Sequence, residues 1–208
     1  MTIQYEKSTK LHDTLMQSKS ITKHLDEIKK HHDESYEHSV RVGLLSIDLA
    51  NENKLSEEYV KLAGEAGLLH DLGKSGISID ILSKKTILTE HERMNINTHP
   101  RIGFIKLDDE RYEEIRKVLI AHHEYKKGQY PRSGKDRRSE VRPGSVDRRI
   151  PNKMIDVIAQ IVGIADMFDA LTSRRSYKEK FDENKVKKIL EEQFIGDDKY
   201  IEQVMRRI

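Results

Sequence analysis

Apolar residues recur at three- and four-residue intervals along most of this chain, which is the spacing of one buried face of an α-helix. The clearest stripe ends in a histidine and consists of Tyr59, Leu62, Ala63, Ala66, Leu69 and His70. Other stripes run through Val40–Leu49, Tyr112–His122 and Ile155–Asp169, and a weaker one through Leu11–Ile28. No alternating strand pattern and no internal repeat competes with them, so the sequence predicts an all-α fold.

Short polar residues mark where several of these helices are predicted to begin. Ser56 stands before two glutamates, which favour the positive end of a helix dipole. Thr89 and Glu92 have the spacing of a capping box. Asp108 and Asn152 are the predicted caps of the helices that follow them.

Glycine and proline are predicted to end two helices beside histidines. Gly73 is expected to stop the helix that carries His70, which leaves Asp71 at the open C-terminal end. Pro100 is expected to bend or end a helix just after His99. This position leaves the His99 imidazole available as a metal ligand.

The composition excludes several classes of protein. The 208 residues suffice for one globular domain with a proper core. Because 38 basic residues face 36 acidic ones, the net charge of +2 argues against a protein that coats nucleic-acid polymers. The absence of cysteine excludes disulfides, thiolate catalysis and Cys-ligated zinc, and it is compatible with a cytoplasmic location. The polar N-terminus and the lack of an apolar run of about 18 residues predict neither a secretion signal nor a membrane span.

Two segments lie outside the main apolar pattern. Residues 1–30 are polar with weak helical periodicity, and they predict one or two leading helices that cover the domain and form a candidate dimer contact. Residues 132–150 have no apolar period and carry seven Arg or Lys against three Asp or Glu. This segment is predicted to be a long exposed loop, and the alternative is a basic lip over a phosphate-binding site. From Glu183 onward, two short terminal helices are expected.

Helix faces from distant parts of the chain present nitrogen and oxygen donors. The candidate metal ligands are Glu34, His38, His70, Asp71, His99, His122, His123 and Asp166. Such donors without sulfur suit iron, manganese or another divalent ion that accepts octahedral coordination, rather than structural zinc. His31 and His32 lie just before this set and are expected to be solvated.

Two features of the set favour a site with two metal ions. His122 and His123 are adjacent and about 100° apart around a helix, so we expect them to diverge onto neighbouring metals. A shared carboxylate such as Asp71 can bridge ions about 3.5–4 Å apart, the arrangement in which a metal-bound hydroxide attacks a phosphoester. Lys74 lies one turn further on, where it can meet a phosphate oxygen or the leaving group. For His70 and Asp71 alone, a hydrogen-bonded core histidine is the competing interpretation.

The same residues fall within an ordered set of short motifs. The motifs are His38, His70-Asp71 with Lys74, His99-Pro100, His122-His123-Glu124, Gly128–Pro131 and Asp166–Ser173. Together they resemble the HD-GYP family, a branch of the HD metal-dependent phosphohydrolases. The resemblance implies a helical domain at about 31–180 around a bi- or trinuclear metal site, between an N-terminal helical lead at 1–30 and C-terminal helices at 181–208. The implied activity is hydrolysis of cyclic di-GMP to the linear dinucleotide or GMP.

The resemblance also assigns roles to individual residues. It implies two or three divalent ions, most commonly iron, held by the eight candidate ligands, with Glu34 as the extra carboxylate of members that hold a third ion. It implies catalytic roles for Asp71 and Lys74. The residues it implies as substrate contacts are Lys74, Tyr130, Arg175 and Lys178.

The signature loop departs from the family pattern. The usual HHExxDGxGYP is one residue shorter here, with a lysine in place of the aspartate and no glycine before Tyr130. Because this loop shapes specificity, another cyclic dinucleotide such as cyclic GMP-AMP stays open as the substrate. Two further alternatives are an HD-type phosphohydrolase for another nucleotide and a non-catalytic signalling module that binds a cyclic dinucleotide or a regulatory protein partner.

Overall fold

The computed structural model of the chain describes residues 2–127, 153–173 and 181–208, and most of these residues lie in helices. The α-helices are α1 Thr2–Gln17, α2 Lys19–His31, α3 Asp33–Glu52, α4 Glu57–Leu69, α5 Ile79–Leu82, α6 Glu90–Ile96, α7 His99–Lys106, α8 Glu113–Ala121, α9 Lys153–Thr172, α10 Glu183–Gln193 and α11 Lys199–Met205. Two 3₁₀ turns occupy Leu72–Gly76 and Glu110–Tyr112. No β-strand is present in the described ranges, and one isolated bridge joins Lys126 to Phe194. The all-α prediction is confirmed.

Helices α3, α4 and α9 pack against one another at the centre of the molecule, and α8 closes the group against α4 and α9. The approach of α3 to α4 is close because glycines face each other. A side chain on Gly67 would bring a Cβ atom within 3.0 Å of the Gly43 Cα atom. The stripes read from the sequence form the core, with Leu69, Leu119 and Ile158 fully buried. Burial of these apolar faces, rather than helix propensity, holds the helices together.

Two of the predicted helix starts that lie in the described residues are confirmed and one is wrong. Ser56 precedes α4, and Thr89 and Glu92 form a reciprocal capping box at the start of α6. Asp108 caps no helix. Its neighbour Asp109 accepts a hydrogen bond from the Arg111 backbone N–H and caps the short 3₁₀ turn instead. Asn152 and the segment 132–150 lie outside the described residues.

The predictions for Gly73 and Pro100 are wrong, and both residues have a different structural role. Helix α4 ends at Leu69, and Gly73 lies inside the following 3₁₀ turn, where a Cβ atom would come within 1.8 Å of the His99 carbonyl oxygen. Pro100 lies in the first turn of α7, where its missing N–H leaves no backbone bond unmade. His99 therefore begins a helix rather than ending one.

The chain ends are helical as expected. Helices α1 and α2 form the N-terminal lead, with Ile21, Leu25 and Ile28 of α2 buried in the core. Helices α10 and α11 are the two terminal helices. None of the helices in the described residues combines the length and the apolar character needed to cross a membrane. The domain boundaries and the dimer contact stay predictions.

Candidate metal centre

Five segments bring their polar side chains to one place inside the helical core. His38 comes from α3, His99 from the first residue of α7, and Asp166 from α9. The other members lie where α4 and α8 have just ended: His70 and Asp71, and His122 and His123. The donor atoms of six of them form two groups, each within 4.8 Å: His38, His70 and Asp71 in one, and His99, His122 and His123 in the other. Asp166, the seventh, lies 2.9 Å from the Nε2 atom of His38.

Three buried imidazoles have the same orientation. In His70, His99 and His122, the Nδ1 atom lies 2.8, 2.8 and 2.7 Å from the carbonyl oxygen of the residue three positions earlier. Since a carbonyl oxygen only accepts, each Nδ1 carries the proton and each Nε2 keeps its lone pair. None of these Nε2 atoms has a hydrogen-bond partner among the described residues, although each is buried.

Unpartnered lone pairs of this kind are costly in a protein interior unless a cation binds them. Metal-binding histidines typically hold their second nitrogen with a backbone carbonyl, as these three do. The donor set therefore fits a divalent metal ion.

Asp71 lies between the two donor groups and reaches both. Its Oδ1 atom is 3.2 Å from the Nε2 atom of His99. Its Oδ2 atom is 3.4 Å from the Nε2 atom of His70 and 3.7 Å from that of His38. Lys74 places its ammonium 2.5 Å from the same Oδ2 atom. One carboxylate thus contacts histidines of both groups through different oxygens.

His38 is held at both ring nitrogens by aspartates of α9. Its Nε2 atom lies 2.9 Å from Asp166 and its Nδ1 atom 2.6 Å from Asp169. Asp169 in turn accepts hydrogen bonds from the Arg41 guanidinium at 2.7 and 3.1 Å and from the Ser173 hydroxyl at 2.8 Å. Asp169 and Arg41 fix the orientation of the His38 ring.

Burial and neighbouring charges shift the pKa values of several groups in the centre. Burial lowers the pKa of His99 to about 4 and that of His122 to about 3, because a charged imidazole loses its hydration there. Burial alone would raise the pKa of Asp71, but His70 and Lys74 hold it well below its usual range. Burial opposes protonation of His70 as well, yet the Asp71 carboxylate raises its pKa overall. The neutral imidazoles of His99 and His122, beside the Asp71 carboxylate anion, therefore suit a divalent cation.

The arrangement has a counterpart among known families. Residues 35–171 match the family model described as the HD domain. The chain belongs to the HD domain family. The match begins within α3, which carries His38, and ends within α9, which carries Asp166. It therefore contains all the histidines of the centre.

Several HD domain relatives are named phosphodiesterases. The chain is 37% identical over 149 residues to a cyclic di-GMP phosphodiesterase of Thermotoga maritima, which covers 70% of this chain and 36% of that protein. It is 34% identical over 147 residues to one from Pseudomonas aeruginosa, covering 69% of this chain and 32% of the relative. It is also 30% identical over 165 residues to a 3′3′-cGAMP-specific phosphodiesterase of Vibrio cholerae, covering 75% and 33%. The chain spans about a third of the length of these relatives.

A solved structure agrees with the fold. The HD domain of the L. monocytogenes phosphodiesterase PgpH aligns with a TM-score of 0.56 at 20% sequence identity. The alignment covers 88% of this chain and 93% of that one. At this identity the likeness supports the HD-type helical fold alone, and it confirms the predicted architecture.

Seven of the eight candidate ligands lie together in the HD domain, although the prediction that they bind metal stays a prediction. Glu34 is one turn before His38 on α3 and belongs to neither donor group found among the described residues. Of the predicted substrate contacts, Lys74 lies at the centre. Tyr130, Arg175 and Lys178 lie outside the described residues.

Two expectations about histidine pairs are corrected. His122 and His123 do not diverge: their ring centroids are 3.9 Å apart, and both join His99 in one group. The expected separation of about 100° applies to neighbours within a helix, and α8 ends at Ala121, before either histidine. His31 and His32 are not merely solvated. His31 lies 2.7 Å from a backbone carbonyl, and His32 caps α3 by accepting from a backbone N–H.

Sequence reasoning missed Asp169 and Arg41 as site residues. The stripe on α9 placed Asp169 on the same face as Asp166, and a second carboxylate on an apolar face signals a buried partner. Arg41 follows His38 by three residues on α3, the spacing that puts two side chains on one face. Only the packing of α3 against α9 brings the three side chains into contact.

Proposed function

We propose that this HD domain is a metal-dependent phosphodiesterase that hydrolyses cyclic di-GMP to the linear dinucleotide or GMP. The observation that carries the proposal is the position of Asp71 between two groups of buried histidines. One carboxylate that reaches both groups suits a pair of divalent ions, and paired ions are the usual means of phosphoester hydrolysis. The names of the relatives support the choice of substrate.

The proposed ligands are His38, His70, Asp71, His99, His122, His123 and Asp166, and Glu34 is proposed for a third ion. Iron and manganese fit these nitrogen and oxygen donors best. Bound divalent ions would lower the pKa of water and neutralise charge that develops on the phosphoryl oxygens. Two or three such ions are the proposed cofactors.

The side chains of this chain have separate tasks in the proposed reaction. The backbone carbonyls that accept from His70, His99 and His122 keep each Nε2 lone pair directed at the cations. Lys74 is ion-paired with Asp71, and its side chain is about one-fifth exposed. We propose that its ammonium would meet a phosphate oxygen of the bound substrate. Tyr130, Arg175 and Lys178 are proposed to contact the phosphates or bases.

A cyclic GMP-AMP dinucleotide is the second candidate substrate. Two observations favour it: the shortened signature loop of this chain, and the 30% identity to a relative named a 3′3′-cGAMP-specific phosphodiesterase. Both substrates present two phosphodiester bonds in a ring and would use the same cations. They differ in one base, which the signature loop is proposed to read.

The test is hydrolysis of both dinucleotides by protein purified without oxygen and loaded with Fe(II) or Mn(II). We expect turnover of cyclic di-GMP that disappears with a chelator and returns when Mn(II) is added. Faster turnover of cyclic GMP-AMP than of cyclic di-GMP would identify cyclic GMP-AMP as the preferred substrate. Hydrolysis of neither by fully loaded protein would refute the proposed activity.

A further inference from the structure

The 3₁₀ turn Leu72–Gly76, which follows Asp71 and carries Lys74, is held from two sides. On the inner side, Gly73 packs directly on the backbone of α7 at His99 and Gly103. On the outer side, the turn lies against α2. Helix α2, at Lys19–His31, lies before residues 35–171 that match the family model.

Two side chains of α2 contact the turn just after Lys74. The Ser75 hydroxyl lies 2.9 Å from the Glu27 carboxylate and 2.7 Å from the Leu72 carbonyl oxygen, so these two acceptors share its one proton. Glu27 also pairs with the Lys106 ammonium of α7. The Nε2 atom of His31 lies 2.7 Å from the Ile77 carbonyl oxygen, which only accepts, so the ring donates. Glu27 and His31 are four residues apart and lie on one face of α2. They contact Ser75 within the turn and Ile77 directly after it.

Both partners in these contacts, α2 and the turn, are held in place by other interactions. Helix α2 is fixed by Ile21, Leu25 and Ile28, each only 1% exposed. The turn closes on itself through backbone bonds from Lys74 N–H to the Asp71 carbonyl at 2.9 Å and from Ile77 N–H to the Lys74 carbonyl at 3.0 Å. A shift of α2 would therefore move the backbone of the turn that carries Lys74.

We propose that Glu27 and His31 are positioning residues that hold the Lys74 turn in place for the phosphate of the substrate. The role of Lys74 in this inference rests on the proposed function. The role of α2 as the outer clamp of the turn rests on geometry alone. Catalytic groups on a short turn need such support, because a displacement of about 1 Å costs up to about a hundredfold in rate.

The electrostatics agree with this arrangement. Burial opposes ionisation of Glu27, but hydrogen bonds from Lys106 and Ser75 lower the pKa of its carboxyl overall. The carboxylate therefore stays an acceptor for both donors at neutral pH.

The first test is a double-mutant cycle with the Mn(II)-loaded full chain and cyclic di-GMP. We expect the double substitution Glu27→Ala with His31→Ala, which removes both contacts, to lower kcat about tenfold with unchanged metal content. In a Lys74→Ala background the same pair is expected to change kcat less than about twofold, because it acts through Lys74. Equal losses in both backgrounds, or loss of metal, would overturn the inference. Asp26→Asn, which removes a charge from the exposed side of α2, serves as the control.

A second measurement needs no turnover and decides the inference if the proposed substrate or Lys74→Ala gives no measurable rate. Amide hydrogen exchange is followed for Lys74 and Ile77 in the wild type, in the Glu27→Ala, His31→Ala protein and in Asp26→Asn. We expect about tenfold faster exchange at both amides in the double variant alone, with α4 and α9 unchanged. Unchanged exchange at Lys74 and Ile77 would show that α2 does not clamp the turn.

Discussion

At the scale of single residues, the centre depends on which nitrogen of each imidazole faces inward. Backbone carbonyls fix the Nδ1 proton of His70, His99 and His122, whereas a carboxylate, Asp169, fixes that of His38. The carboxylate is itself held by the Arg41 guanidinium. A charged partner makes an imidazole a stronger base and a better ligand than a carbonyl does.

Replacing Asp169 by asparagine tests this outer support. The amide keeps the size of the side chain but loses the charge that His38 and Arg41 share, so Mn(II) affinity is expected to fall about 10–100-fold. Titration of the metal-free protein with Mn(II) measures the change. Asp80→Asn, on the exposed first turn of α5, is expected to have no effect. Equal affinities of wild type and Asp169→Asn would contradict the assigned role.

The sequence predicts the members of the centre better than their supports. Short motifs identify His70, Asp71 and His99 because ligand types recur at characteristic spacings along the chain. The partnership of Asp169 with Arg41 could not be read in the same way, because it joins residues 128 positions apart. It depends on how α3 and α9 pack, and no local pattern encodes that.

At the scale of elements, the site depends on close backbone contact between the Leu72–Gly76 turn and α7. Local rules predict a helix stop at Gly73 and a break at Pro100, and both predictions are wrong for one reason. Local rules treat glycine as a residue that ends helices. Here Gly73 is needed because any Cβ atom would collide with the backbone of His99, a residue 26 positions away. Proline fits either end of a helix, and only the packing of α7 decides which end.

Gly73→Ala tests this contact. The added Cβ atom would lie 1.8 Å from the His99 carbonyl oxygen and 2.7 Å from the Gly103 nitrogen, so the turn and α7 must separate. We expect a loss of about 3 kcal/mol or more in the free energy of unfolding, together with reduced metal retention, because His99 moves. Urea denaturation and metal analysis measure both.

Gly76→Ala in the same turn is the matched control. Its Cβ atom would meet only the Ile102 side chain, at 3.0 Å, which can rotate away. We expect a change below about 1 kcal/mol and normal metal retention. Similar losses at the two glycines would show that the turn tolerates no substitution at all and would remove the special role of Gly73.

At the scale of the whole molecule, the fold keeps a cluster of histidines buried inside a helical core. The helical stripes and the family resemblance predict the all-α architecture and the convergence of distant segments. The sequence also predicts Asp71 as a shared carboxylate, but it does not predict which histidines form each group, because that depends on the relative placement of α3, α7 and α8. The cost of this arrangement is a dependence of stability on pH.

The sign of that dependence follows from the lowered pKa values. Below pH 6.5 the unfolded chain protonates His99 and His122, while the folded chain keeps them neutral down to about pH 4 and about pH 3. These two groups therefore make the metal-free protein less stable as the pH falls through this window. The raised pKa of His70 acts in the opposite direction.

Substitution of His122 isolates one contribution. In His122→Gln, the pH dependence of the unfolding free energy between pH 6 and pH 4 is expected to weaken by about 1.4 kcal/mol per pH unit, the effect of one proton. Urea denaturation at several pH values, with a chelator present, measures it. His91→Gln, on the exposed surface of α6, is expected to leave the slope unchanged. An unchanged slope in His122→Gln would mean that the imidazole is not buried in its neutral form.

The central claim is that Asp71 joins two histidine groups into one centre for at least two divalent ions. The most direct measurement is the number of Mn(II) or Fe(II) ions bound per chain by oxygen-free protein, for the wild type and for Asp71→Asn. We predict at least two ions in the wild type and fewer than one in the variant, because both groups lose their shared carboxylate. A single ion in the wild type, or the same number in both proteins, would contradict the account.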